Sequence, residues 1–309
     1  MNSLTFAHIT DFHLSEDGLQ WDGAPLADRL LARTVDALNA RDDLDFVLIS
    51  GDVLDQATPG ELERANRLLG GLAKPWHFIP GNHDGFVHES NLDALTPAEA
   101  VSGIDPRMAD PPPDAQHGRW RREVADGVVL IGLDSRLKDD WNGLIEAQQL
   151  NWLQTQLDRS RAADLVIVAV HHPLHPMAPM DTQPPWTNFL CDNGDEVQAV
   201  LNRYPNVRLV LGGHHHAHHI KRHGETLHVF TAPLTQYPCE YRIVRLAQQG
   251  EGWQANVETL GTADEGERKA AYDELLAGQS AHRFNPDDLT AWAAFVEGLT
   301  RDRHFEGAL

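Results

Sequence analysis

Five short blocks carry seven side chains of the kind that ligate transition metals: Asp11 and His13 in ITDFHL, Asp52 in ISGDVLD, Asn82 in IPGNHD, His171 in VAVHHPL, and His214 with His216 in LGGHHHAHH. Each block follows an apolar, β-branched run (LTFAHI, DFVLIS, HFIP, LVIVAV, VRLVL), so every one falls where a strand is expected to end and a loop to begin. That is where α/β folds collect their chemistry. Carboxylate, imidazole and a neutral amide oxygen form a mixed oxygen and nitrogen set, which suits manganese, iron or zinc and suits calcium poorly. The expectation is two divalent ions sharing one carboxylate, that of Asp52, at the roughly 3.5–4 Å separation of two-metal hydrolytic sites.

Periodicity between the blocks predicts strands at 4–9, 45–50 and 75–80, separated by helices at 25–40 and 59–73. Such a β-α-β-α-β start pairs its strands in parallel and brings Asp11, Asp52 and Asn82 to one edge. From Gly85 to His117 the pattern lapses among Pro97, Pro106 and Pro111 to Pro113, which predicts an irregular cap over the site at 85–117. Strands follow at 118–124, 127–133, 164–170 and 207–211, with helices at 146–158 and 194–204. Further strands at 226–231, 241–246 and 253–259 are expected to complete a second sheet. Residues 263–309 read as a helical extension of a domain spanning 1–262, with helices at 264–278 and 287–301. The second carries an apolar stripe of Leu289, Trp292, Phe295, Val296 and Leu299, which serves packing: over the sheet, or swapped between subunits of a homo-oligomer.

Of the 309 residues 46 are acidic and 25 basic, a net charge of −21. This argues against a nucleic-acid polymer or an anionic lipid surface as partner, because non-specific affinity for either rests on clustered Lys and Arg. No apolar run approaches the ~20 residues of a membrane span, and no basic start precedes an apolar stretch, so the expected location is the cytoplasm. Cys191 and Cys239 are too few for a disulfide framework and are expected as free thiols, with a mutual bridge as the alternative.

In this order, DxH, GD, GNHD, a histidine after a strand and GHxH resemble the calcineurin-like metallophosphoesterase superfamily. The HHP and GNHD wording is most similar to the bacterial class III cyclic-nucleotide phosphodiesterases and the related glycerophosphodiesterases. The resemblance implies a four-layer α/β/β/α sandwich of two mixed sheets flanked by helices, followed here by a helical C-terminal tail. It implies Asp11, His13, Asp52 and His216 around one metal, and Asp52, Asn82, His171 and His214 around the other. His83, directly after Asn82, matches the non-ligand histidine placed near the phosphate and is the candidate general acid.

The activity implied is metal-dependent hydrolysis of a small-molecule phosphodiester, of the 3′,5′-cyclic-nucleotide or glycerophosphodiester class, by a hydroxide bridging the two metals. The alternatives are a phosphomonoesterase or nucleotidase of the same fold, or a metal-bound interaction scaffold without turnover. Completeness of the seven ligands and His83 favours an enzyme over a scaffold.

Other residues carry weaker expectations. Asp55 matches an acidic position facing substrate in some class III relatives, with a solvated turn residue as the equal alternative. His172 and His215 are open between supporting the ligands and plain core or surface positions, and His215 is also a candidate for substrate contact. Trp186, in a Pro-rich loop, is a candidate for stacking on a base. His218, His219 and His223 are expected on the surface of a following strand. His8 is expected to be a satisfied core histidine.

Overall fold

A computed structural model describes residues 2–15, 17–85, 94–108, 118–137, 140–184, 186–250 and 252–309. In chain order these residues form β1 (Ser3–Ile9), a short ribbon of β2 (Gln20–Trp21) and β3 (Ala24–Pro25), α1 (Leu26–Asn39), β4 (Phe46–Ile49), α2 (Pro59–Leu69), β5 (Trp76–Phe78) and α3 (Pro97–Ile104). Next come β6 (Trp120–Ala125), β7 (Val128–Gly132), α4 (Ala147–Arg159), β8 (Leu165–Ala169), α5 (Gly194–Leu201), β9 (Val207–Gly212), β10 (His219–His223) and β11 (Thr226–Phe230). The chain ends with β12 (Glu240–Gln249), β13 (Gly252–Gly261), α6 (Glu265–Ala277), α7 (Gln279–Phe284), α8 (Thr290–Glu297), α9 (Thr300–Arg303) and β14 (His304–Ala308).

Two six-stranded mixed sheets result, in the orders β14-β13-β12-β1-β4-β5 and β10-β11-β9-β8-β7-β6. β1, β4 and β5 run parallel in the first, and β7, β8, β9 and β11 in the second. The period-two alternation of a strand decides how the layers stack. On β8, Leu165, Ile167 and Ala169 enter the core between the sheets, while Val166 and Val168 face outward onto Leu153 and Leu157 of α4 and Val197, Val200 and Leu201 of α5. On the other side, Leu31, Val35 and Leu38 of α1 cover the first sheet. The α/β/β/α sandwich expected from the sequence is the observed architecture.

Three expectations need correction. β12 and β13 do not complete the second sheet: β12 crosses back and pairs antiparallel with β1, from Ser3↔Ala247 to His8↔Arg242, so the second sheet keeps only Thr226–Phe230 of that group. Alternating apolar residues announce a strand, but its partner is set by long-range packing. The described part of the 85–117 cap is not wholly irregular, because Thr96 and Glu99 form a reciprocal capping box with Pro97 at the first helical position and α3 packs Ala100, Val101 and Ile104 into the same hydrophobic core cluster as the first sheet, beside α2. Residues 86–93 and 109–117 of that cap lie outside the described residues. The tail is not purely helical, since β14 adds to the edge of β13 from Glu258↔His304 to Gln254↔Ala308.

The tail is tied down by charge as well as by packing. Glu240 of β12 accepts both arms of Arg303 (2.8 Å each) and Arg268 (3.1 Å), and His218 donates to it from Nε2 (3.1 Å). Fully buried Arg242 reaches the Asp302 carbonyl (2.7 Å) and the Phe230 carbonyl (3.0 Å), joining tail and both sheets. Cys191 and Cys239 are buried free thiols, with burial pushing each up to about 12. Among the described residues no helix is long and apolar enough to cross a membrane.

Candidate metal centre

Beyond Ile9 the chain leaves sheet pairing and bonds to the second block. The Asp11 N–H donates to the Gly51 carbonyl (3.0 Å), and those of Phe12 and His13 donate to the Asp52 carbonyl (2.7 and 3.0 Å). This turns the backbone left-handed at Asp11 (φ 53°), His13 (42°), Asp52 (51°), His214 (68°) and His216 (54°). Such a conformation costs a non-glycine residue roughly 1–3 kcal/mol. Five of the seven expected ligands bear that cost, and strain concentrated on polar residues at strand ends marks a place where side-chain direction matters more than backbone comfort. Two glycines make room for the carboxylates: a Cβ on Gly81 would lie 2.2 Å from Asp52 Oδ1, and one on Gly213 2.2 Å from Asp11 Oδ2.

The side chains converge in three groups: two share Asp52, and a third, of His13, Asp55 and His83, shares His13 with the first. Asp11, His13, Asp52 and His216 offer ligand atoms within 4.8 Å of one another, and so do Asp52, His171 and His214. His216 Nε2 is 3.3 Å from Asp11 Oδ1 and 3.0 Å from His13 Nε2, and His171 Nε2 is 3.1 Å from Asp52 Oδ2. Nδ1 of His171 donates to the Ser50 carbonyl (2.7 Å), which fixes the ring so that Nε2 points at Asp52. Asn82 is buried beside them, and its successor's N–H donates to Asp52 Oδ1 (2.9 Å).

The donor set fits divalent ions on a direct observation. Nε2 of His214 and both amide atoms of Asn82 are buried with no hydrogen-bond partner among the described residues. Orphaned buried polar atoms are costly, and a cation is one of the few groups that satisfies several at once. Electrostatics agree. Burial opposes ionisation of Asp52, but the imidazoles of His171, His83 and His13 outweigh it and hold the carboxyl well below its usual range. Burial likewise opposes charge on His171, yet Asp52 and Asp11 raise it to about 9.

His83 lies at the rim rather than among the orphaned atoms. Its Nδ1 donates to the Asp55 carbonyl (2.7 Å), leaving Nε2 to face outward, and its ring packs edge-on against His13 (4.5 Å) and Trp141 (5.1 Å). The Asp55 carboxylate sits between His13 Nδ1 (3.3 Å) and His83 Nδ1 (3.8 Å) and lines the cavity beside the cluster. His215 and Trp186 are not brought to the cluster. His215 is buried and donates to Asp181 (2.8 Å), and Trp186 packs against Trp292 (5.2 Å), Phe189 and Phe284 in the core of the C-terminal helices. His172 is also buried, fixed between Ser135 (2.7 Å) and the Trp141 carbonyl (3.1 Å), while His8 is satisfied by Ser50 (2.7 Å) and Thr231 (2.9 Å).

Asp84 is the residue that sequence reading overlooked. Its carboxylate accepts the N–H groups of Val53, Leu54 and Gly81 (3.0 Å each), clamping the loop that carries Asp52 to the loop that carries Asn82. The aspartate closing GNHD was the available signal.

A two-sheet α/β sandwich with an aspartate and histidine cluster across its strand ends defines a metallophosphoesterase-type hydrolase. The chain belongs to the calcineurin-like phosphoesterase family, whose model matches residues 4–218. It is similar to a 3′,5′-cyclic-nucleotide phosphodiesterase of Nostoc sp., at 28% identity over 76% of this chain and 79% of that one. It is also similar to a glycerophosphodiester phosphodiesterase of Enterobacter lignolyticus, at 28% identity over 77% and 80% respectively. Among solved structures, a dimetal phosphatase from Danio rerio shares the fold at 18% identity with a TM-score of 0.59, covering 84% of this chain and 97% of that one.

Proposed function

We propose that the protein is a dinuclear metal-dependent phosphodiesterase acting on a small-molecule phosphodiester, of the cyclic-nucleotide or glycerophosphodiester class. The observation that carries this reading is the sharing of Asp52 between two ligand groups whose remaining members include orphaned, buried donors. Asp11, His13, Asp52 and His216 would hold one ion, and Asp52, Asn82, His171 and His214 the other. Two divalent ions would neutralise the phosphate oxygens and lower the pKa of a water toward neutrality.

The chain's own residues do the rest. Hydrolysis forms one P–O bond from water and breaks the bond to the alcohol, whose oxygen must then take up a proton. His83, its Nδ1–H held by the Asp55 carbonyl, would give that proton from Nε2 of its doubly protonated form, returning to the neutral imidazole. Asp55 steadies both His13 and His83 from the cavity wall. Asp84 keeps the two ligand loops in register.

The test is turnover of bis(p-nitrophenyl) phosphate against p-nitrophenyl phosphate by metal-stripped protein resupplied with Mn²⁺, with cyclic AMP in parallel and Asp52→Ala as control. Metal-dependent diester turnover that the variant loses supports the reading. Monoester turnover alone replaces it with a phosphatase, and metal uptake without turnover replaces it with a scaffold.

A further inference from the structure

Resting on that reading of the metal centre, we propose that α8 and α9 of the C-terminal tail are a working part of it. They hold the loop of His214 and His216 in its ligand-presenting form, with Phe295 and Asp302 as the positioning residues. Both histidines stand in left-handed backbone, at φ 68° and 54°. A conformation of that kind persists only where the surroundings over-determine it. On its inner side the loop is held by the Asp11 carboxylate, which accepts the His214 N–H (3.1 Å), and by the His171 carbonyl, which accepts that of Gly213 (3.0 Å). Both partners are candidate ligands themselves, so these bonds do not fix the loop independently of the centre.

The outer side is held from the far end of the chain. The Val296 carbonyl of α8 accepts the His218 N–H (2.9 Å). The buried Asp302 carboxylate of α9 accepts the Ile220 N–H with one oxygen and that of Leu299 with the other (3.1 Å each). His215, between the two ligands, sets its ring against Phe295 (5.3 Å) and its Nε2 on Asp181 (2.8 Å). At Gly298 (φ 72°) the tail comes so near that a Cβ would lie 2.6 Å from the His218 carbonyl. The tail lies beyond residues 4–218 that match the family, so the match does not assign it this role. A loop released from these contacts spends time in other conformations, and an ion then binds only the fraction of molecules with the loop in place. Because His216 belongs to one ligand group and His214 to the other, both ions are affected.

Full-length metal-free protein is titrated with Mn²⁺ against a chelating indicator, and amide exchange over residues 213–220 is followed by mass spectrometry. Asp302→Ala and Phe295→Ala should each weaken both ions about tenfold, the lower end of the cost of losing support behind a ligand. Exchange in that segment should quicken before any metal is added. Asp302→Asn, which keeps an oxygen for the Ile220 N–H, should recover most of the affinity. Glu267→Ala, which cuts the bonds of α6 to Arg29 and Arg33, should loosen the tail elsewhere and leave both affinities unchanged. Phe295→Leu, a milder change, repeats the test where an alanine variant does not fold. Folded Asp302 and Phe295 variants that bind both ions like the wild type overturn the positioning role and leave the phosphodiesterase reading standing. Glu267→Ala as weak as Asp302→Ala also overturns it, since affinity then follows the attachment of the tail as a whole. A wild type that takes up no ion removes both.

Discussion

Two histidine assemblies stand in this molecule, and they differ in what surrounds them. In the candidate centre His13, His171 and His216 each lie within 4 Å of Asp11 or Asp52, and for His13 and His171 the burial that would strip their charge is opposed by those carboxylates. In the other, His175 from the loop after β8 stacks on His223 of β10 at 3.6 Å and 10°, with His228 of β11 edge-on at 5.2 Å. There the carboxylate of Asp195, 3.6 Å from His175, is fully exposed, while Lys221 lines the same small cavity. Burial pushes His228 down to about 3, whereas His171 stands at about 9. One side chain type, equally hidden, is thus driven to opposite proton affinities, and the deciding partner is the carboxylate rather than the number of histidines.

The sharpest way to break the comparison is to remove the shared carboxylate. Asp52→Ala should drop metal content below one ion per chain by elemental analysis and lower diester turnover by more than about a hundredfold, since both ligand groups lose their common member. Retention of two ions would end the bridging assignment. Next in size, His83→Ala should keep the metals and reduce turnover roughly 10²–10⁴-fold on a substrate with a poor leaving group. Unchanged turnover would leave protonation to another group.

A smaller effect concerns the anchor of the tail. Burial raises the Glu240 carboxyl, but His218 and Arg303 outweigh it and hold the group at about 2 against an ordinary 4.5. A carboxyl depressed on folding stabilises the protein above its unfolded value and loses that contribution as pH falls through the folded one. Urea unfolding should therefore show a loss on the order of 2–3 kcal/mol between about pH 4.5 and 2, and Glu240→Gln should flatten that slope. The smallest effect lies in the second assembly. Both ring nitrogens of His228 are buried with no partner among the described residues, so His228→Leu should leave metal content and turnover untouched and stabilise the fold by about 1 kcal/mol. A loss of bound metal in this variant would erase the distinction between the assemblies.

Much of the fold was readable because its inner strands are continuous apolar runs, such as Leu165–Ala169, bounded by the ligand blocks. Of the strands that escaped reading, β2 and β3 are two residues each and bury none of them, and β14 is an edge that buries none of its residues fully, so none carries a hydrophobic signature. In the candidate centre the residue types that converge, and their order along the chain, were legible. The clamp by Asp84, the withdrawal of Trp186 and His215 into other packing, and the reach of Val296 and Asp302 to the loop that carries His214 and His216 were not, because each depends on chain segments far apart in sequence.

The sequence by itself determined the chemical types on offer: donors of mixed oxygen and nitrogen type, placed at strand ends by local β-branched runs, and a net charge of −21. Tertiary structure alone decided which strands became neighbours, which histidines met a carboxylate, and which residues wall the cavity. Local propensity acts over a few residues, whereas a sheet partner, a desolvated charge or a cavity lining exists only once distant segments have packed.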